Sequence, residues 1–349
     1  YGKGYPPTFI KIYEPNEFIG LSALLYNSVR DCTITAKTNS ILWSLDRENF
    51  RNILKASKNY FSEDISMRLS DIKDLIEDSQ VIVDGEFSSL GLAVSECDEK
   101  LLSFVESEKY LSSLGKNITC LITTKEIGEN LKDKYGIIVS NTPRTTYFKL
   151  HNKLAENKDY IREEYETSIG SNCKISNLAS ISNKNVTIGN NVIIEEFVVI
   201  RENTVIGDNS IIRSGCILGG EGYEFKRVDG IIMNVKHCGG VIIGDNVEVQ
   251  YNSCVYKALY TWDNTIIDNY SKLDNFVHIE HGVKVGERCL IASNTTIGGR
   301  TVIGEDSWIG LGAIISNVLK LGKKVSVSLG SVVTKGLSDG EKVSGNFAI

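Results

Sequence analysis

The chain contains no CxxC pair. Its eight cysteines, at 32, 97, 120, 173, 216, 238, 254 and 289, are scattered along 349 residues. No zinc site is therefore expected, and a reducing compartment, the cytoplasm, is the expected location. No apolar run reaches the ~18 residues that read as a membrane span, and no signal peptide is visible. Cations are not in excess: 38 Lys and Arg against 44 Asp and Glu leave a net charge of -6. That balance argues against a general nucleic-acid or anionic-membrane surface and points to small molecules or proteins as partners. Histidine is scarce, with His151, His237, His278 and His281 making up the full set. The first residue is Tyr1 rather than Met, so a piece of a longer chain, or a trimmed one, is expected. Two or three domains fit the length.

An internal repeat fills the second half. From Ile243 to Val333 an aliphatic residue falls on nearly every sixth position, and Thr261 alone departs from the pattern. A period of six matches neither the 3.6 of a helix nor the two of an ordinary strand. Three short strands and three corners make one coil of 18 residues, with each aliphatic anchor pointing inward onto the one a coil below. Glycine often follows the anchor, as in Ile297-Gly298 and Ile303-Gly304. It permits a corner where a side chain would crowd the backbone. The register appears earlier at Ile188, Ile194, Ile200, Ile206, Ile212 and Leu218, and slips by one before Ile243. A loop over about 219–240 must therefore leave the prism, and such loops are where function concentrates. The expected architecture is mainly β: a parallel β-helix over 165–349, preceded by a small α/β front domain over 86–155. Apolar residues near helical spacing, among them Leu69, Ile72 and Leu75, predict a helical connector over 56–85.

Two resemblances sharpen this picture. Residues 1–55, with Glu17-Phe18-Ile19-Gly20-Leu21-Ser22-Ala23 and the following Asn27-Ser28-Val29-Arg30, resemble the back half of a cyclic nucleotide-binding domain, a partial β-roll with helices. In that family an Arg pairs the cyclic phosphate and a Glu binds the ribose. Arg30 stands at the Arg position and Leu21 where the Glu belongs, so a degenerate structural domain is the alternative. Residues from about 86 onward resemble the UDP-3-O-acylglucosamine N-acyltransferases of lipid A synthesis. The match runs through Leu102-Ser103-Phe104-Val105 to Tyr110, Asn141-Thr142-Pro143-Arg144, the loop Gly219-Gly220-Glu221-Gly222-Tyr223-Glu224-Phe225, His237-Cys238-Gly239-Gly240, and Asp274-Asn275-Phe276-Val277-His278-Ile279-Glu280-His281.

The second resemblance implies a left-handed β-helix, a homotrimer with active sites between subunits, and an aromatic pair that sandwiches uracil. Phe104 and Tyr110 match that pair, with Ser107 in place of the family's Asn. Read without the resemblance, both aromatics are core residues. The implied reaction moves an acyl group from a thioester, acyl-carrier protein or acyl-CoA, to the amine or hydroxyl of a UDP-linked amino sugar, with no tightly bound cofactor. Such a transfer needs a base for the nucleophile's proton and donors for the oxyanion, and a neutral imidazole suits the first role near pH 7. His281 matches the family's catalytic base, with Glu280 and Gly282 replacing the usual Ala and Asn. His278 and His237 are candidates for substrate contact, and Asp274 or Glu280 for orienting an imidazole. A corner histidine bonded to a carbonyl is the structural alternative.

Three departures qualify the match. Tyr256-Lys257-Ala258 replaces Asp-Arg-Gly, Asn317-Val318-Leu319-Lys320 replaces a segment with a second His, and the ending from Gly330 resembles hexapeptide acetyltransferases. An acetyl-CoA-dependent sugar acetyltransferase is the second enzyme reading. A non-catalytic scaffold responsive to cyclic nucleotides is the reading from another class.

Overall fold

The computed structural model of the protein describes residues 66–95 and 97–345. They lie within one compact unit, Asp64–Ile349. Arg30, Leu21 and the segment resembling a cyclic nucleotide-binding domain lie outside the described residues.

Strands of two to four residues separated by corners stack into three parallel sheets of eight, nine and eight strands. Together the sheets form a left-handed parallel β-helix that runs from Ser168 to Val343. Within a regular coil the register advances by 18 residues, so that Ile279 pairs with Ile297 and Ile297 with Ile315. The second residue of each short strand points inward. Ile267, Leu273, Ile279, Ile297 and Ile309 have no exposed surface. Each such side chain contributes about 1.5–3 kcal/mol by leaving water. Because the same position repeats a coil away, like packs on like along the column. Outward neighbours such as Thr296 and Ile314 are exposed. The glycine after the anchor is required by close approach rather than by backbone angle: a Cβ on Gly304 would sit 2.5 Å from the carbonyl carbon of Gly322 in the next coil.

Two segments leave the column. The first is the excursion between the strands Ile217–Gly220 and Gly240–Ile243, after which the column resumes with Ile243 directly beside Ile206 in one sheet. Its tip is an antiparallel hairpin, Phe225–Val228 against Ile231–Asn234. The second corrects the sequence reading. Thr261 is no inward anchor, because the strand Cys254–Tyr256 is followed on the next face by Asn264–Ile267, with Ile267 in the inward position. Residues 257–262 are an insertion as long as the period itself, so the register continues unchanged past them and hides them.

That insertion holds the front domain. A five-stranded sheet contains Ser79–Val83, Gly136–Ser140, Ile118–Thr123, Leu101–Val105 and Ser89–Leu90 in that spatial order. Only the pairing of Ser79–Val83 with Gly136–Ser140 is antiparallel. Helix α1 spans Lys125–Leu131 and helix α2 spans Pro143–Leu154. Helix α2 has Pro at its first position, where no N-H partner is lost. Tyr147 on α2 hydrogen-bonds the Tyr260 hydroxyl of the insertion at 2.9 Å, both side chains fully buried. Trp262 donates its indole N-H to the Leu90 carbonyl at 2.9 Å.

The helical connector expected over 56–85 is not found in its described part. Residues 66–85 form a short strand, two single 3-10 turns, Leu69–Asp71 and Lys73–Leu75, and then the sheet's edge strand Ser79–Val83. Leu69, Ile72 and Leu75 are spaced by three, which fits a 3-10 turn as well as it fits one face of an α-helix. Leu69 and Ile72 are buried in the front domain's own core, so the sheet begins upstream of residue 86.

Ile297→Ala is expected to cost about 2–5 kcal/mol, read as a lowered denaturation midpoint. Thr296→Ala, one residue away and exposed, should stay within about 0.5 kcal/mol of the parent.

Candidate functional site

His281 stands at the corner that follows the strand His278–Ile279. The inward Ile279 turns its two neighbours outward, and Gly282 closes the corner with a φ of +70°. The corner is braced from the adjacent face, where Thr265 accepts the Gly282 N-H at 2.8 Å. His281 is nevertheless only 9% exposed, because the excursion folds over it.

Both ring nitrogens of His281 face carboxylates. Nδ1 lies 3.3 Å from Glu280 Oε2, and Nε2 lies 3.3 Å from Glu224 Oε2 on the excursion. Glu280 has a second imidazole on its other oxygen, with His278 Nε2 at 3.0 Å. Glu224 is also paired with Lys226. The ammonium of Lys226 in turn lies 4.6 Å from the centroid of Phe148 on α2.

Burial works against the charged form of His281, but the hydrogen bonds to Glu224 and Glu280 outweigh it and raise the pKa above the ordinary imidazole value. Burial likewise opposes charge on the two acids. The bonds from His281 and Lys226 overcome it for Glu224 and hold it at about 2. The bonds from His278 and His281 hold Glu280 well below the usual carboxylate range.

His237 lies at the return of the excursion, 4% exposed, with its ring centroid 5.5 Å from that of His281. Neither of its nitrogens has a hydrogen-bond partner in the protein. Burial first, then the charge of His281, lowers its pKa to about 4, so it is neutral at physiological pH. His237 also lines a cavity of about 390 Å³, together with Arg162, Asn185, Asn203, Glu221 and Lys257. On the coil above, the Gly299 corner touches the catalytic candidate: a Cβ there would fall 2.8 Å from His281 Cε1 and Nε2. Any side chain at that position would have to displace the His281 ring.

Of the residues singled out by sequence, the structure gathers His237, His278, Glu280 and His281. Asp274 is not among them, since its carboxylate is engaged by Ser293 and Asn275. Phe104 is the penultimate residue of the strand Leu101–Val105, half-buried against Tyr147 and Phe148, with ring centroids at 4.9 and 5.9 Å. Ser107 precedes the 3-10 helix Glu108–Ser113, and Tyr110 within it is 48% exposed. The core reading therefore fits Phe104 in part and Tyr110 not at all. Glu224 was missed from sequence, although it lies in the quoted loop segment, because nothing local marks a residue whose partner is a distant corner.

Comparison with known proteins agrees with this architecture. Residues 185–220 and 264–299 match the family described as bacterial transferase hexapeptide (six repeats). Residues 6–57 match the cyclic nucleotide-binding domain. A UDP-3-O-acylglucosamine N-acyltransferase of Fusobacterium nucleatum is 38% identical over 216 residues, 56% of this chain and 64% of that protein. One from Delftia acidovorans is 35% identical over 114 residues, a third of each chain. The chain thus spans between a third and two thirds of the length of these curated relatives. Among solved structures, the UDP-N-acetylglucosamine acyltransferase from Campylobacter jejuni is 23% identical with a TM-score of 0.44, covering 49% of this chain and 64% of that one. No helix among the described residues is long and apolar enough to cross a membrane. Two stretches of the chain thus carry the hexapeptide repeat, and the chain is similar over part of its length to UDP-3-O-acylglucosamine N-acyltransferases.

Proposed function

We propose that the protein is an acyltransferase that moves an acyl group from a thioester, acyl-carrier protein or acyl-CoA, to the amine or hydroxyl of a UDP-linked amino sugar. The observation that carries this reading is His281, a buried corner imidazole oriented through Nδ1 by Glu280 and flanked by the Gly299 corner, where a Cβ would press on the ring. The relatives named above supply the substrate class, and the orienting carboxylate supplies the chemistry. An acid bonded to one nitrogen fixes the ring's direction and supports positive charge on it as the other nitrogen takes a proton.

The reaction is a direct transfer. The acceptor's N-H or O-H gives its proton to His281 Nε2 as its heteroatom bonds to the thioester carbonyl carbon. The carbonyl oxygen gains negative charge, and the backbone N-H of Gly299, next to the His281 ring, is assigned to hold it. As the intermediate collapses the C-S bond breaks, and His281 returns the proton to the thiolate. One acyl group and one proton have exchanged places, and no cofactor enters the balance.

Phe104 and Tyr110 are assigned to stack on uracil, with Ser107 between them at the rim. His237, neutral and unpartnered at the head of a polar cavity, is assigned to a sugar hydroxyl, and His278 to holding Glu280. A homotrimer, in which a neighbouring copy completes the donor side, belongs to the same reading. The pairing of Lys226 with Phe148 favours a single-chain acceptor path, because it brings the front domain to the histidine corner without a second copy.

With a panel of UDP-amino sugars and acyl thioesters, His281→Ala is expected to lower kcat by about 10²–10⁴; unchanged turnover would remove the base from the scheme. Phe104→Ala should raise KM for the UDP-sugar roughly tenfold while leaving kcat near the parent value, as expected for the loss of one stacked base. A UDP-sugar that binds both proteins equally well in calorimetry would remove Phe104 from the nucleotide site.

A further inference from the structure

Glu224 occupies the nitrogen of His281 that the transfer needs. A neutral imidazole that donates Nδ1-H to Glu280 presents a lone pair at Nε2. At 3.3 Å that lone pair would face an ionised carboxylate, two acceptors with nothing between them. The contact is favourable only if a proton stands on Nε2, and then His281 is an imidazolium that donates to both acids. A ring in that state has no capacity for the acceptor's proton.

The charges around it support the same state. Glu280 lies beside it on its own coil and His278 shares that acid. The excursion contributes Glu224 with Lys226, and its return contributes His237. Arg300 of the coil above adds a positive charge that partly opposes the two acids. Both acids are well buried, with side chains 12% and 17% exposed, so water screens them little.

We propose that Glu224 is a loop-borne gate on the base: it keeps a proton on His281 Nε2 in the free protein and must leave that nitrogen before the imidazole can accept a proton from the sugar. The proposal rests on the reading of His281 as the base.

The fold contains the means of release. Glu224 is anchored by Lys226, and the Lys226 ammonium lies over Phe148, whose ring centroid is 5.9 Å from that of Phe104. A nucleotide stacked on Phe104 brings its phosphates toward Lys226, and the phosphates compete with Glu224 for that cation. Drawn off by the phosphates, Lys226 and the hairpin it belongs to carry Glu224 from the histidine. The proton on Nε2 then passes to solvent, the nitrogen becomes free, and the acceptor takes the place of the acid. The base is thereby armed only when its substrate is present, which limits loss of thioester to water. Glu224 is a positioning residue in this scheme, since it acts through His281 and touches no reacting atom in the armed state.

The test uses the full chain and begins without substrate. Four histidines give a ring spectrum that single His→Gln variants assign, and the His281 titration is followed by NMR in the parent, Glu224→Gln and Glu224→Asp. The His281 pKa should fall by roughly one unit or more in Glu224→Gln and by less in Glu224→Asp, whose carboxylate is retracted by one methylene. In turnover, the acid limb of kcat/KM reports the free protein and that of kcat the substrate complex. The parent should show the first limb at higher pH than the second, and in Glu224→Gln the two should coincide.

An unchanged His281 titration in both variants overturns the gate, and so does a fallen pKa that leaves the kcat/KM limb where it was. His281→Ala with full activity is a different failure: it removes the base, and the gate's place in turnover with it.

Discussion

Everything in the described structure depends on the inward stack of aliphatic side chains, repeated every 18 residues and locked by parallel hydrogen bonding between coils. That constraint is stricter than an ordinary core, because each anchor is packed above and below by its own equivalent. The strand at one coil therefore cannot rotate or shift without displacing the next. A rigid column of this kind holds a corner side chain to within the tolerance that acid-base chemistry requires. It does so at the cost of variety, since regular corners offer little beyond glycine, asparagine and short loops. Chemistry enters where the column is interrupted, at the excursion that carries Glu224 and His237 and at the insertion that carries Tyr260 and Trp262.

The two interruptions differ in how they show in the sequence, and the reason is arithmetic. The excursion between Leu218 and Ile243 shifts the register by one, so the loop announces itself. The insertion at 257–262 has the length of the period, so the register resumes in phase and Thr261 looks like a weak anchor. Periodicity reports position modulo six and says nothing of how many faces have been traversed. The signal that was available is compositional: Leu259, Tyr260 and Trp262 are large side chains at positions that a regular outward face does not need to bury, and all three join the front domain's core. A similar ambiguity misled the reading of 69–76, where three-residue spacing over two turns cannot separate a 3-10 helix from an α-helix. The β-helix itself, by contrast, was legible because an aliphatic residue recurs at six-residue spacing from Ile243 to Val333 with a single break at Thr261, and no other period fits.

The candidate site was partly legible for the same reasons. His278, Glu280 and His281 surround an anchor whose direction the repeat dictates, so their outward placement followed from Ile279 alone. Choosing Glu280 over Asp274 as the orienting acid required coordinates, because each directly follows an inward anchor, Leu273 or Ile279, and only hydrogen-bond partners distinguish them. Glu224 was not legible. Its relation to His281 is made by a hairpin folding back onto the column, a tertiary fact without a local pattern. Phe104 and Tyr110 became visible only through resemblance, since six-residue spacing across a strand end and a 3-10 turn carries no signature of its own.

Glu280 and Glu224 together make a point about electrostatics that neither makes alone. One carboxylate on an imidazole orients it and stabilises the charge that develops during catalysis. A second, on the opposite nitrogen, stabilises that charge before catalysis begins and so removes the driving force for proton uptake. The difference between help and hindrance lies in mobility. Glu280 is fixed to the column at the residue next to His281, whereas Glu224 is borne on an excursion whose tip is a two-stranded hairpin with exposed Ile231 and Ile232. A two-stranded ribbon gains little from its own packing, so of the two acids Glu224 is the one the protein can move. His237 lies beside the His281 ring, buried and without a partner in the protein, at a cost that the free protein does not recover by any hydrogen bond of its own. The same loop thus carries an acid that is satisfied only without substrate and an imidazole that is satisfied only with it. Binding that moves the first and pairs the second draws on both terms at once.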